Sequence, residues 1–177
     1  GQYDKPVPIF WASGACLMIR RDVYIQQGGL DATFFAHQEE IDLCWRLNCR
    51  GYVVMAVPQA VEYHLGGGAL GYESPRKTFL NFRNNLLMLY KNLPAIPFAS
   101  VFFVRFFLDY VAAVQMLCAG KWQNAWAVVQ ARWAYWRLKR QYRDIRKKNI
   151  RLAVQPYPPT ISQRSIIFDF YIRGKRK

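Results

Sequence analysis

HQEEIDLCWRLNCRGY, residues 37–52, is the stretch on which the fold turns. Ile41, Cys44, Trp45 and Asn48, with Leu43 and Leu47, recur at helical rather than alternating spacing. Three acids, Glu39, Glu40 and Asp42, stand at the start of that helix, where the macrodipole favours negative charge. Asp42 and Arg46 are four apart in the favourable order for a supporting ion pair, and Gly51 ends the helix. The dipole also keeps a carboxylate in the first turn ionised, so a Glu there can accept a proton. Helix-start charge and general base are compatible readings of the same acids.

Upstream, residues 10–20, FWASGACLMIR, read as a short buried strand with a small-residue step at Ser13-Gly14-Ala15. RDVYIQQGG follows as a short helix closed by Gly28 and Gly29, residues able to adopt the left-handed cap. Downstream of Gly51, YVVMAVP reads as a β-branched strand ending in a Pro58 turn. AVEYH then reads as a strand that carries His64 into the loop LGGGALGYESP. His64 is either a satisfied structural histidine or, beside Gly66-Gly67-Gly68, a neutral imidazole ligand for a divalent cation. His37 has no spacing argument and reads as structural or surface-exposed. Together these pieces predict an α/β unit.

The character changes at Arg76. RKTFLNFRNNLLMLYKNL is helical in period and is ended by Pro94 and Pro97. FASVFFVRFFLDYVAAVQMLCAG is almost continuously apolar and long enough to cross a bilayer, but Arg105 and Asp109 interrupt it. Each charge costs about 2.5–3.5 kcal/mol at a bilayer centre, and each Leu, Phe or Val offsets only about 0.3–0.6 kcal/mol. The sum is near zero. A spanning helix, a helix buried in protein and one lying shallowly in the interface all fit. Beyond Gly120, Trp122, Trp126, Val129, Trp133 and Trp136 recur at steps of four, three, four and three, which is one helix face. With Arg132, Arg137, Lys139, Arg140 and Arg143 around it, that face suits a membrane interface, or it packs on the α/β unit. The Pro-punctuated tail is expected to wrap a surface.

The 177 residues suffice for one good core with room for an appendage, and carry a formal charge of +14. From Arg137 to Arg151 there are eight Lys or Arg against one acid, Asp144, which calls for an anionic partner. Cys16, Cys44, Cys49 and Cys118 form no C-x-x-C, which argues against zinc and for reduced thiols. The chain opens on Gly within what reads as mid-domain sequence, as a fragment would, and its first residues do not resemble a signal peptide.

The order of the pieces is more specific than any one of them. W-x-S-G-A-x-x-x-I-R-R (Trp11 to Arg21) precedes G-G-L-D (Gly28 to Asp31). F-F-A-x-x-E-E-I-D-L-C-W-R (Phe34 to Arg46), R-G-Y (Arg50 to Tyr52) and V-E-Y-H-x-G-G (Val61 to Gly67) follow. The succession resembles the second half of the catalytic domain of family 2 glycosyltransferases with the GT-A fold, particularly bacterial rhamnosyltransferase-like members. The resemblance covers residues 6–72 and extends loosely through SPRKTFLNFRNNLLMLYKN.

That resemblance implies a partial GT-A, Rossmann-like α/β unit over residues 1–75. A helical, membrane-associated region over 76–151 and a basic tail over 152–177 would follow it. It implies inverting transfer of a sugar, rhamnose among the candidates, from a nucleotide-sugar donor to a glycan or lipid-linked acceptor. The setting would be the cytoplasmic face of the bacterial inner membrane. Glu40 falls on the catalytic base and Glu39 on the acid before it. Glu stands at 40 where the family has Asp, so the carboxylate lies one methylene further out, and Glu39 is the alternative base. Trp11, Ser13, Gly14 and Ala15, with Asp42 and Arg46, fall at substrate-binding positions. His64 falls on a ligand of a divalent metal, Mn²⁺ or Mg²⁺, shared with a D-x-D motif that would lie upstream of Gly1. Two other classes compete: a basic, aromatic-rich nucleic-acid-binding module over residues 121–151, and a membrane-anchored, non-enzymatic scaffold. Nucleic acid is disfavoured because the Trp residues form one regular helix face rather than a cation-lined groove.

Overall fold

The computed structural model describes residues 4–64, 74–161 and Gly174. Two short strands, β1 (Val7–Pro8) and β2 (Met55–Ala56), pair antiparallel, and Ile9 N–H extends the pairing to the Val54 carbonyl at 2.9 Å. Between them lie α1 (Arg21–Gln26) and α2 (Glu39–Cys49). Four helices follow: α3 (Pro75–Asn92), α4 (Ala95–Cys118), α5 (Trp122–Leu138) and α6 (Arg143–Leu152).

Local chemistry explains the helix ends. Ser74 caps α3 by accepting from Lys77 N–H, with Pro75 in the first turn, where no N–H is needed. Gly28 and Gly29 take positive φ after α1, and Gly51 does so after α2. Pro94 closes α3, whereas Pro97 lies in the first turn of α4 rather than ending a helix.

The strands expected over 10–20 and 60–64 are not strands. Residues 10–20 run without a ladder partner. Ala12, Leu17 and Ile19 pack on Val23, Leu43, Cys44, Leu47 and Val54, and the opposite side is open, with Met18 97% exposed. An apolar run becomes a doubly buried strand only when strands flank it, and none does among the described residues. Residues 60–64 are exposed, and the YVVMAVP strand shrinks to Met55–Ala56.

The main core joins α2, α3 and the later helices: Phe34, Trp45, Leu86, Leu87, Tyr90, Tyr135 and Tyr142 are buried together. α5 lies along α3, with Asn124 bonded to Thr78 at 2.8 Å, and presents Ala125, Val128, Ala131 and Tyr135 to the protein. α4 runs back against α5. Its internal Asp109 is held by Arg105 (2.8 Å) and by Arg132 of α5 (2.7 Å).

The helical run continues one residue past the expected boundary, to Leu152, and the chain then returns onto α2. Val154 N–H donates to Cys49 O at 2.8 Å, and the Gln155 amide donates to Asn48 O at 2.8 Å. From residue 162 on, the expected basic tail lies outside the described residues, apart from Gly174.

α4 is 24 residues long, apolar enough to cross a membrane, and only 11% of its apolar stretch is buried within the protein. A soluble core helix would be mostly covered. Trp122, Trp126, Trp133 and Trp136 are likewise exposed. The Trp face does not pack on the α/β half. Small residues on the opposite face let α5 approach α3 instead.

Candidate functional site

The entrance to α2 is backbone held in an uncommon conformation. Phe35, His37 and Gln38 take φ of 63°, 69° and 75°. Non-glycine residues in this region cost about 1–3 kcal/mol each and persist only where neighbours enforce them. The neighbour here is Asn84 of α3. Its buried amide nitrogen lies 2.9, 2.9 and 2.8 Å from the carbonyls of Phe34, Ala36 and His37, more acceptors than its two hydrogens can serve singly. Its oxygen accepts from Arg83 Nε (2.9 Å) and Nη2 (2.7 Å), and Arg83 also donates to Thr33 O at 2.7 Å. Residues 33–37 are thereby fastened to α3.

The held loop delivers His37, Glu39 and Glu40, and each leaves one buried side-chain atom without a partner among the described residues: His37 Nε2, Glu39 Oε2 and Glu40 Oε2. Gln38, the residue before α2, provides no side-chain cap. Burial pushes the Glu40 carboxyl above its usual range, and Glu39's charge adds to this, against the backbone N–H groups of Glu40 and Ile41. Burial thus opposes the helix dipole, which was expected to keep this acid ionised. A raised carboxylate is a stronger proton acceptor.

Gly14 stands against this acid: a Cβ there would lie 3.8 Å from Glu40 Cβ. It belongs to a tight turn in which Ser13 Oγ accepts from Ala15 N–H (3.3 Å) and Cys16 N–H donates to Ser13 O (3.1 Å). The neighbouring Glu62 carboxylate pushes the Cys16 thiol pKa up, so the segment leading to His64 passes near the same turn. Trp11 and Ser13 line an open groove of about 1310 Å³ between residues 7–20 and 52–57. The structure thus gathers Ser13, Gly14 and Ala15 with Glu40.

Asp42 and Arg46, expected at substrate-binding positions, are elsewhere. Both are buried and fully engaged. Asp42 accepts from Arg46 Nε (3.1 Å), Lys91 Nζ (2.8 Å) and Asn92 Nδ2 (2.8 Å). Arg46 donates onward to the carbonyls of Gln27 and Gly29. Lys91 also holds Asp31 at 2.8 Å, and Tyr142 donates to Asp31 at 3.0 Å. Burial raises the Asp31 pKa, but Lys91's charge and hydrogen bonds from Lys91, Thr33 and Tyr142 outweigh it, and the carboxyl ends below its usual range. This network seats α2 on α3.

His64 is exposed at the edge of the described residues, and the glycine loop 65–73 lies outside them. Among the described residues no group of three or more His, Cys, Asp or Glu could hold a metal ion. The described residues do not form a metal centre by themselves.

His37 was expected only as a structural or surface residue, and Asn84, Arg83 and Lys91 were not anticipated. A signal was present: Leu80, Asn84, Leu87 and Lys91 share the buried stripe of α3, and a polar residue on such a stripe marks a specific partner.

Part of the chain is similar to glycosyltransferases. Over 57 residues, 32% of this chain and 19% of the relative, it is 40% identical to N-acetylglucosaminyl-diphospho-decaprenol L-rhamnosyltransferase of Mycobacterium tuberculosis. Over 89 residues, 49% of this chain and 29% of the relative, it is 33% identical to the low-salt glycan biosynthesis hexosyltransferase Agl10 of Haloferax volcanii. The chain therefore spans less than a third of the length of these curated relatives. No protein-family model and no solved structure matches it.

Proposed function

We propose that this chain is the acceptor-side part of an inverting glycosyltransferase with a GT-A-type catalytic unit. It would transfer a sugar, rhamnose being one candidate, from a nucleotide-sugar to a lipid-linked glycan acceptor at the cytoplasmic face of a membrane. The observation that carries the reading is Glu40: a carboxylate with an unpaired buried oxygen and a raised pKa, set by a loop held at positive φ. The partial likeness to two glycosyltransferases supports the reaction class. The decaprenol-linked substrate named for one of them supports the acceptor class.

In the proposed step Glu40 accepts the proton of an acceptor hydroxyl. The hydroxyl oxygen forms a bond to the anomeric carbon, and the bond from that carbon to the nucleoside diphosphate breaks. The leaving group departs with the electron pair, and the configuration inverts. Gly14 leaves room beside the carboxylate, and the loop clamped by Asn84 fixes its direction. Exposed α4 and the Trp face support the membrane setting.

The test is turnover of the natural full-length protein with nucleotide-sugar donors and a polyprenyl-diphosphate sugar. Glu40→Gln should lower kcat by about 10²–10⁴-fold with donor binding retained. Near-normal turnover in Glu40→Gln with loss in Glu39→Gln would move the base to Glu39. Near-normal turnover in both would refute the reading.

A further inference from the structure

The turn between α5 and α6 gathers cations that the fold does not neutralise. Arg137, Lys139, Arg140 and Arg143 fall within seven residues, and among the described residues none is paired with a carboxylate. The local acid, Asp144, is exposed and lies 3.6 Å from Lys147. Lys139 Nζ sits over the rings of Trp136 (4.6 Å) and Tyr90 (5.3 Å), and Arg146 is drawn onto the Tyr90 carbonyl and ring. Burial first, then the charges of Arg146 and Arg143, push the Lys139 pKa down. α6 begins on the same turn with no side-chain cap, so its first N–H groups add to the positive field.

These groups surround an open cleft of about 990 Å³, walled by Tyr90, Trp136 and the four cations. Like charges crowded on aromatic walls cost free energy that a bound anion would recover. The neighbourhood narrows the anion. α5 runs back along α4, so the cleft lies at the N-terminal end of the apolar helix. There Trp136 packs on Phe102 (5.7 Å) and Tyr90 on Phe98 (5.5 Å). A ligand seated on the cations has exposed apolar surface beside it, which suits an amphiphile with a compact, multiply charged head.

Building on the glycosyltransfer reading, we propose that this cleft binds the diphosphate head of a polyprenyl-linked acceptor, with the chain laid along exposed α4. The Arg140 and Arg143 guanidinia would grip the phosphate oxygens in bidentate fashion, and Lys139 would add a point charge. Tyr142, in the same turn, bonds Asp31, which Lys91 joins to Asp42 of α2, so the cleft and the Glu40 helix share one frame.

The test is co-flotation of the full chain with phosphatidylcholine vesicles that carry either a polyprenyl diphosphate or phosphatidylglycerol at matched surface charge. Arg140→Gln/Arg143→Gln is compared with Lys148→Gln/Arg151→Gln, an equal loss of charge outside the cleft. The native chain and the control pair should prefer the diphosphate vesicles by about ten-fold or more, and the cleft pair should lose that preference. Equal behaviour of the two pairs, or no preference in the native chain, would reduce the cleft to general surface charge and overturn the proposal. Inorganic pyrophosphate competing as well as the vesicle-borne lipid would assign the cleft to a soluble diphosphate and overturn it too. Binding is read without turnover, so a preference that persists in an inactive protein separates failure of the transfer reading from failure of this one. Both substituted arginines are exposed, and an unchanged unfolding transition confirms that the variant is folded.

Discussion

Three acids begin α2, and the structure gives two of them, Asp42 and Glu40, opposite energetic signs. Asp42 is fully buried among two cations and an amide, whereas Glu40 keeps a buried oxygen unpaired. Asp42→Asn retains one oxygen acceptor but removes the charge. Lys91 then keeps one acid, Asp31, and buried Arg46 is left without a paired acid among the described residues. Removing one partner of a buried ion pair costs about 3–5 kcal/mol. Asp31 still holds Lys91, and the carbonyls of Gln27 and Gly29 still hold Arg46, so the lower end, about 3 kcal/mol, applies. With a urea m-value of about 2 kcal/mol/M, the midpoint should fall by about 1.5 M.

Glu40→Gln should behave differently. The folded pKa of Glu40 is raised from 4.5. Its contribution is therefore most favourable below that value and is lost as pH rises through the folded pKa. At neutral pH the ionised group is a net cost, and Gln should leave stability equal or slightly higher. Urea unfolding followed by far-UV circular dichroism at pH 7 compares the two. A loss under about 1 kcal/mol for Asp42→Asn, or an equal loss for Glu40→Gln, would refute this division between structural and available acids.

Asn84→Leu should speed amide exchange over residues 34–40 well beyond the change in α5, since lost bonds and unsatisfied carbonyls there amount to about 2–4 kcal/mol. Uniform acceleration across both would show that Asn84 is not a local clamp. Asp31 has a folded pKa below 3.8, so its contribution is complete above that value and disappears as pH falls through the folded pKa. Asp31→Asn should therefore flatten the acid side of the stability curve, and an unchanged acid limb would contradict the Lys91 pairing. On anionic vesicles the chain should float at low salt and, in part, at high salt. Changing Trp122, Trp126, Trp133 and Trp136 together to Ala should abolish the high-salt fraction. A chain that ignores vesicles at low salt would remove the membrane role of that face.

What the sequence disclosed and what it hid divide along physical lines. α2 and α3 were legible because their periodicity and stops are local, with acids at the start of α2 and Gly51 or Pro94 at the ends, whereas the Ser74-Pro75 start of α3 read as part of the preceding loop. The ion pair Asp42–Arg46 was legible as a spacing, yet its burial was not. Lys91 and Asn92 complete it from about fifty residues away, which no local rule anticipates. The strand expected at 10–20 failed because an apolar run specifies burial and not a hydrogen-bonding partner. The Trp stripe was legible as a face, but its direction was not. It suited either a membrane interface or packing on the α/β unit, and the packed side of α5 is instead the one with small residues, where helix axes can come close. At the candidate site, Glu39 and Glu40 stood out by position. The strain that presents them, at Phe35, His37 and Gln38, has no sequence signature, because none of these residues is glycine.

One helix ties the candidate base to the proposed headgroup cleft. α3 holds the loop before α2 through Asn84, closes the Asp42 network through Lys91, and walls the cleft with Tyr90. From Asn84 to Tyr90 is six residues, or about 9 Å of axial rise, set by helical geometry and not by loop flexibility. General-base catalysis requires the carboxylate within hydrogen-bond distance of the acceptor hydroxyl, and misplacement by about 1 Å can cost about 10²-fold. If the acceptor's head is fixed on the same helix that positions the base, the hydroxyl is positioned before chemistry begins. The two ends then separate kinetically. Loosening Asn84 disturbs the base and falls on kcat, whereas neutralising Arg140 and Arg143 weakens acceptor binding and falls on KM.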